Sequence, residues 1–209
     1  MPASAKLLVF LSAALLLAIA PGPGMLYVLS RSLAGGKREG ILSALGTFAG
    51  GMVHVVAAAA GVSLILAQSA LAFATVKYAG AAYLCFLGVR MIAGANSGNE
   101  LPLTAEARSG KPFWQGIATE VLNPKTALFF LSFIPQFVDH RGSHVFAQFV
   151  MLGTISVILN TSADLVVIML AGPLGERIRS SVNFRRRQRK VTGVIMIGLG
   201  TYLAASDSR

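Results

Sequence analysis

Two apolar runs of this chain are interrupted near their middle, one by Pro-Gly-Pro-Gly at residues 21–24 and one by Asn-Pro-Lys at 123–125. A proline removes a helical hydrogen bond to the carbonyl four residues back and its ring clashes there, so Pro21, Pro23 and Pro124 would free the carbonyls of Leu17, Ile19 and Glu120. In hydrocarbon an orphan carbonyl costs several kcal/mol, and such breaks persist only where protein, water or a bound solute satisfies them. Two breaks in corresponding places of the two halves point to one solute site near mid-membrane, built from Pro21, Gly22, Pro23, Asn123, Pro124 and Lys125. Tolerated kinks are the bland alternative. A lysine in the middle of a span argues against them, because a charge at that depth is expensive.

Three more ionisable or polar positions could serve such a site. Gly153, Ser156, Asn160 and Asp164 recur at steps of three and four, which keeps them on one helix face that cannot be turned toward lipid. Asn160 then joins the solute-contacting set, and Asp164 is the carboxylate best suited to a proton step. Lys125 has two readings, a lock that neutralises Asp164 or a clamp for the carboxylate of a solute. Ser43, Gly46, Gly50 and His54 share a face in the same way; Gly46, Gly50 and Gly153 are suited to close helix packing. His54, near mid-membrane, is either a satisfied interhelical hydrogen-bonder or a second candidate for the proton, since histidine alone titrates near neutrality unperturbed.

The elements that must position these residues are membrane helices. A chain of 209 residues with 55% hydrophobic and 12% charged residues is too apolar for a soluble domain, and its mean hydropathy of +0.69 agrees. The runs are helix-length, without the short alternating segments of a barrel. Six helices are expected, at about 7–30, 43–67, 70–93, 114–138, 146–171 and 191–205, with the first and fourth broken. The formal net charge of +10 does not indicate nucleic acid, because the basic residues lie between the apolar runs. Arg31, Lys37, Arg38, Arg90, Arg108, Lys111 and the cluster in 173–190 fall on one side, against Lys6, Lys77, Arg141 and Arg209 on the other. The positive-inside rule then places both termini outside the cytoplasm. The FRRRQRK run at 184–190 reads as an orienting anchor that attracts anionic lipid.

Residues 1–20 imitate a secretory signal, but Pro21 directly after the small-residue site disfavours cleavage and the apolar run resumes at Met25. Cys85 is the lone cysteine, so no internal disulfide or two-cysteine relay is possible. A metal or toxic-cation exporter would want several Cys, His or carboxylate ligands together. An intramembrane enzyme, the remotest alternative, would want HExxH, GxSxG, a nucleotide loop or paired catalytic carboxylates, and none is present. No cofactor and no metal site are expected; the expected partners are a small zwitterionic solute, protons and membrane lipid, with a homo-oligomer left open.

Shifting the chain by 103 residues sets Pro21 on Pro124 and Gly50 on Gly153. Three spans per half is an odd number, so the halves would be inverted relative to one another: 1–93 the first repeat, 94–113 a cytoplasmic linker and 114–209 the second. The motifs PGPG, the second-run glycines ending in Val53-His54, YAGAAYL at 78–84, LNPK at 122–125, IPQF at 134–137 and the closing GVIMIGLGTYLA together resemble the LysE family of amino-acid exporters, in its homoserine and threonine exporter branch. The resemblance covers nearly the whole chain and implies a six-helix inner-membrane secondary transporter that exports amino acids or related metabolites by exchange with protons. Some relatives carry an acidic residue where Asn160 stands; here the nearest acid is Asp164, one turn later.

Overall fold

The apolar runs fold as helices, and the chain breaks where the prolines stand. The computed structural model describes residues 3–68, 70–94, 111–139, 144–180 and 182–205. Helix α1 spans Ala3–Ile19, and α2 begins at Pro23 and runs to Gln68. Pro23 suits a first helical turn, where its missing N–H would have no partner anyway. Helix α3 is Ala70–Ala93 and α4 is Pro112–Val121; α5, Pro124–Leu128, runs on through a wide π turn at Phe129–Phe133 and a tight 3₁₀ turn at Ile134–Phe137. Helices α6, Val145–Ser180, and α7, Val182–Ala205, complete the described elements, all of them helical.

Two helices, Pro23–Gly61 and Val145–Ala171, are long and apolar enough to cross a membrane among the described residues, and the pair Pro112–Val121 and Pro124–Phe137, bent by 46°, makes a third if it counts as one span. The first of these is 39 residues long, about 58 Å if straight, against a hydrocarbon core of about 30 Å. Gly36 divides it. With φ 74° and ψ −171° it leaves the helical region, a conformation glycine adopts without a Cβ clash, and so supplies the turn expected at 35–40.

Boundaries differ from expectation in two places. The first expected helix, 7–30, ends at Ile19, and its remainder belongs to α2. The stretch 173–190, expected as a loop, is taken up by the ends of α6 and α7. Arg, Lys and Gln are good helix formers, so a charge cluster can mark where apolar character ends without ending the helix. Of the expected linker, residues 95–110 lie outside the described residues.

Helix α2 packs on α4 and α6, α3 on α7, and α1 on α6. Phe10, Val55, Leu84, Phe129, Phe133, Phe149 and Leu203 form the core. The outward faces are apolar too, with Leu8 65%, Met169 68% and Val194 62% exposed, as a bilayer requires. The glycine seam expected on α2 meets α4: a Cβ on Gly50 would stand 2.8 Å from Glu120 Cβ and 2.9 Å from Ile117 O, and one on Gly116 only 2.6 Å from Ser43 O. Side chains there would force the helices apart. Gly153 packs less tightly, its missing Cβ 3.0 Å from Val55 and 3.1 Å from Phe130.

Candidate functional site

The two breaks meet, and Lys125 joins them. Asn123 caps α5, its Oδ1 accepting from the Lys125 backbone N–H at 3.1 Å, with Pro124 in the first turn. This cap turns the Lys125 side chain, 5% exposed, back across the end of α1. Its Nζ donates to Leu17 O at 2.9 Å and to Ala20 O at 2.7 Å. Leu17 O is a carbonyl that Pro21 was expected to free. A cation at a helix C-terminus is also favoured by the helix dipole. Gly22 makes room, since a Cβ there would lie 3.0 Å from Lys125 Cδ.

The carbonyl freed by Pro124 is satisfied as well. His54 Nε2 lies 2.9 Å from Glu120 O, which also accepts from Asn123 N at 3.0 Å, and the imidazole stacks on Phe130 with centroids 6.2 Å apart. The interhelical hydrogen bond expected as one role of His54 is therefore present.

Glu120 itself is buried, 3% exposed. Asn123 Nδ2 donates to its Oε2 at 3.1 Å, and Thr126 Oγ1 donates to Oε1. Asn123 thus holds the start of α5 with one end of its amide and aims Glu120 with the other. Gly24 stands against Oε2, where a Cβ would collide with it.

Asp164, 0% exposed, is met from α2. Thr47 Oγ1 lies 3.2 Å from Asp164 Oδ2 and 3.0 Å from Ala44 O. A hydroxyl has one hydrogen and can donate to only one of them at a time. With Asp164 ionised, Thr47 donates to the carboxylate; with Asp164 protonated, the acid can donate to Thr47 while Thr47 donates to Ala44 O. Asp164 Oδ1 is buried without a hydrogen-bond partner. Asp164 and Lys125 do not form an ion pair, so the lock considered for Lys125 is not made in this arrangement.

Glu120, Lys125, Thr126 and Thr47 line one small cavity of about 30 Å³, room for water but not for an amino acid. Thr47, Glu120, Lys125, Thr126, Ser156 and Asn160 give its lining polar groups, and Leu17, Phe129, Phe130 and Val157 are among its apolar ones. Asn160 and Ser156 thus face inward as the α6 stripe predicts. Asp164 is reached from the cavity through Thr47. Of the remaining expected residues, Pro21 is half-buried and Pro23 and Pro124 are exposed, shaping the backbone rather than lining the cavity.

Three contributors escaped the sequence reading. The sequence points to Glu120 only for the carbonyl that Pro124 frees, and gives its side chain no role. Thr47 falls on the same face as Ser43, Gly50 and His54, at steps of four and three, and that periodicity could have found it. Thr126 carries no such signal. Arg31, counted among the orienting loop cations, is 1% exposed. It pairs with Glu39 at 3.1 Å across the Gly36 turn and bonds to Gln115 of α4, while Tyr27 OH donates to Pro112 O at 2.8 Å.

Buried ionisable groups on broken and bent apolar helices define a multi-pass membrane protein with a polar centre. The chain belongs to the LysE type translocator family, whose model matches residues 15–207. It is similar to an uncharacterized membrane protein of Vibrio cholerae, 31% identical over 96% of this chain and 97% of that protein. Membrane protein YrhP of Bacillus subtilis is 30% identical over 93% of this chain and 96% of its own. A leucine efflux protein of Salmonella choleraesuis is 28% identical over 95% of this chain and 94% of its own. No solved structure matches.

Proposed function

We propose that this protein exports amino acids with apolar side chains across a bacterial inner membrane in exchange for protons. It would cross six times as two inverted three-helix repeats, 1–93 and 114–209, joined by a cytoplasmic linker at 94–113, with both termini outside. The observation that carries the reading is Lys125, whose ammonium bridges the two breaks at a cavity that Glu120 and Thr47, the partner of Asp164, also line. The leucine efflux relative supports the substrate class. So do the apolar side chains of Phe129, Phe130 and Val157 in the cavity lining.

An ammonium has three N–H donors. Two of those on Lys125 go to Leu17 O and Ala20 O, and the third is left for a solute carboxylate. Asn160 supplies a further polar contact, and Gly22 lets the solute and Lys125 approach the broken backbone. Asp164 takes the proton, with Thr47 moving its hydrogen bond as the acid loads and empties; His54 is the second candidate. A cavity this small does not hold an amino acid, so the site must widen for solute to enter.

Vesicles loaded with a panel of labelled amino acids test the reading. Efflux of leucine and its apolar neighbours should accelerate when the outside is made acidic. A protein that moves none of the panel, with or without the gradient, would contradict it.

A further inference from the structure

We infer that Glu120 is the residue that binds the substrate's primary ammonium group, so the site recognises an amino acid by a carboxylate–lysine contact and an ammonium–glutamate contact on the same broken segment. The inference rests on the export reading above and assigns a role that reading leaves empty. Broken helices ordinarily offer freed carbonyls to a solute cation, but here Leu17 O and Glu120 O already have partners and Ile19 does not line the cavity. Leu17 O and Ala20 O hold Lys125, and Glu120 O holds His54 and the Asn123 N–H. A solute ammonium at Leu17 O or Ala20 O would stand against the like charge of Lys125, so a carboxylate nearby is the better acceptor.

Glu120 provides it. Its side chain lines the cavity beside Lys125 and Thr126. A carboxylate has about four lone-pair positions. Thr126 and Asn123 each fill one, fixing the plane of the group while leaving acceptor capacity on both oxygens. The position is costly to keep, because an ionisable group on a buried, membrane-depth helix is unfavourable unless it has a function or a partner. Lys125 is not a hydrogen-bonded partner for it: two of that ammonium's donors are committed to the end of α1. The missing Cβ at Gly24 is what lets Oε2 reach the first break. The two charges stand at the ends of Glu120-Val-Leu-Asn-Pro-Lys125, so a zwitterion's two charged groups can be met from one bent segment while its side chain lies against Phe129, Phe130 and Val157.

Three probes separate the contacts: leucine, isoamylamine, which keeps the ammonium and chain but lacks the carboxylate, and 4-methylvalerate, which keeps the carboxylate and chain but lacks the ammonium. Each is titrated as an inhibitor of labelled leucine counterflow and as a ligand that raises the melting temperature of the purified full chain. In Glu120→Gln the half-saturating concentrations of leucine and isoamylamine should rise tenfold or more while that of 4-methylvalerate stays within twofold. Thr126→Val keeps the carboxylate and removes one of its donors; it should give the same selective pattern at about threefold, and it carries the test if Glu120→Gln does not fold. Unchanged leucine and isoamylamine curves in a folded variant would overturn the inference, as would an equal shift for all three probes. A wild-type protein indifferent to all three would instead overturn the leucine-export reading, and the inference with it.

Discussion

The two breaks are built from opposite materials. The first, Pro21-Gly22-Pro23-Gly24, offers no functional side chain, and what it brings to the site is backbone: the carbonyls of Leu17 and Ala20 and the space left by Gly22 and Gly24. The second, around Asn123-Pro124-Lys125, brings Glu120, Asn123, Lys125 and Thr126, each hydrogen-bonded. Leu17 and Glu120 each stand four residues before the proline of their break, and each carbonyl accepts a bond from another element, from Lys125 in one case and His54 in the other. The difference teaches how a break in hydrocarbon is kept: the lysine of the second break satisfies the backbone of the first, and His54, from neither break, satisfies that of the second. Tied this way, the first break cannot move without disturbing the second.

The largest effect should come from cutting that tie. Lys125→Met leaves two buried carbonyls without partners, at about 1–3 kcal/mol each, and removes the proposed carboxylate contact. It should express poorly and transport nothing. Because Lys125 is bonded to carbonyls and not to Asp164, adding Asp164→Asn should not restore expression; recovery in the double variant, measured as folded protein in the membrane, would mean that the two charges compensate each other after all. Asp164→Asn alone should insert normally, lose efflux driven by a pH gradient and keep solute exchange. Gradient-driven efflux at the wild-type rate would move the proton to His54.

Smaller effects sharpen the same contrast. Thr47→Val removes the hydrogen-bond donor of Asp164, worth about 1 kcal/mol or somewhat more for a charged acceptor. Gradient-driven efflux should slow by roughly tenfold, with exchange less affected and Thr47→Ser near wild type. His54→Phe should be mildest: Glu120 O keeps its bond from Asn123 N, so the loss is about 1 kcal/mol, read as a modest fall in melting temperature with transport retained.

Much of this arrangement was legible in the sequence. The prolines located both breaks, the four-residue rule named Leu17 O and Glu120 O as carbonyls needing partners, and periodicity turned Ser156, Asn160 and Asp164 inward. What the sequence could not give was who satisfies whom. Lys125 reaches Leu17 O from 108 residues away along the chain, a contact with no local periodic trace. Thr126 and Gln115 became contributors only through tertiary packing, and Arg31 looked like a loop cation because Glu39 is brought to it by the Gly36 turn and Gln115 by the packing of α2 on α4. Charge density misplaced the ends of α6 and α7 because it reports depth, whereas helix ends are set by backbone conformation.

The central claim is that Lys125 joins both breaks at a proton-coupled amino-acid site. Leucine movement in one set of proteoliposomes, measured both as counterflow without a gradient and as efflux driven by a pH gradient, tests it most directly. The account predicts that wild type performs both, Asp164→Asn performs counterflow only, and Lys125→Met performs neither. Wild-type rates for Lys125→Met in both modes would contradict it and reduce the Asn-Pro-Lys break to a structural kink.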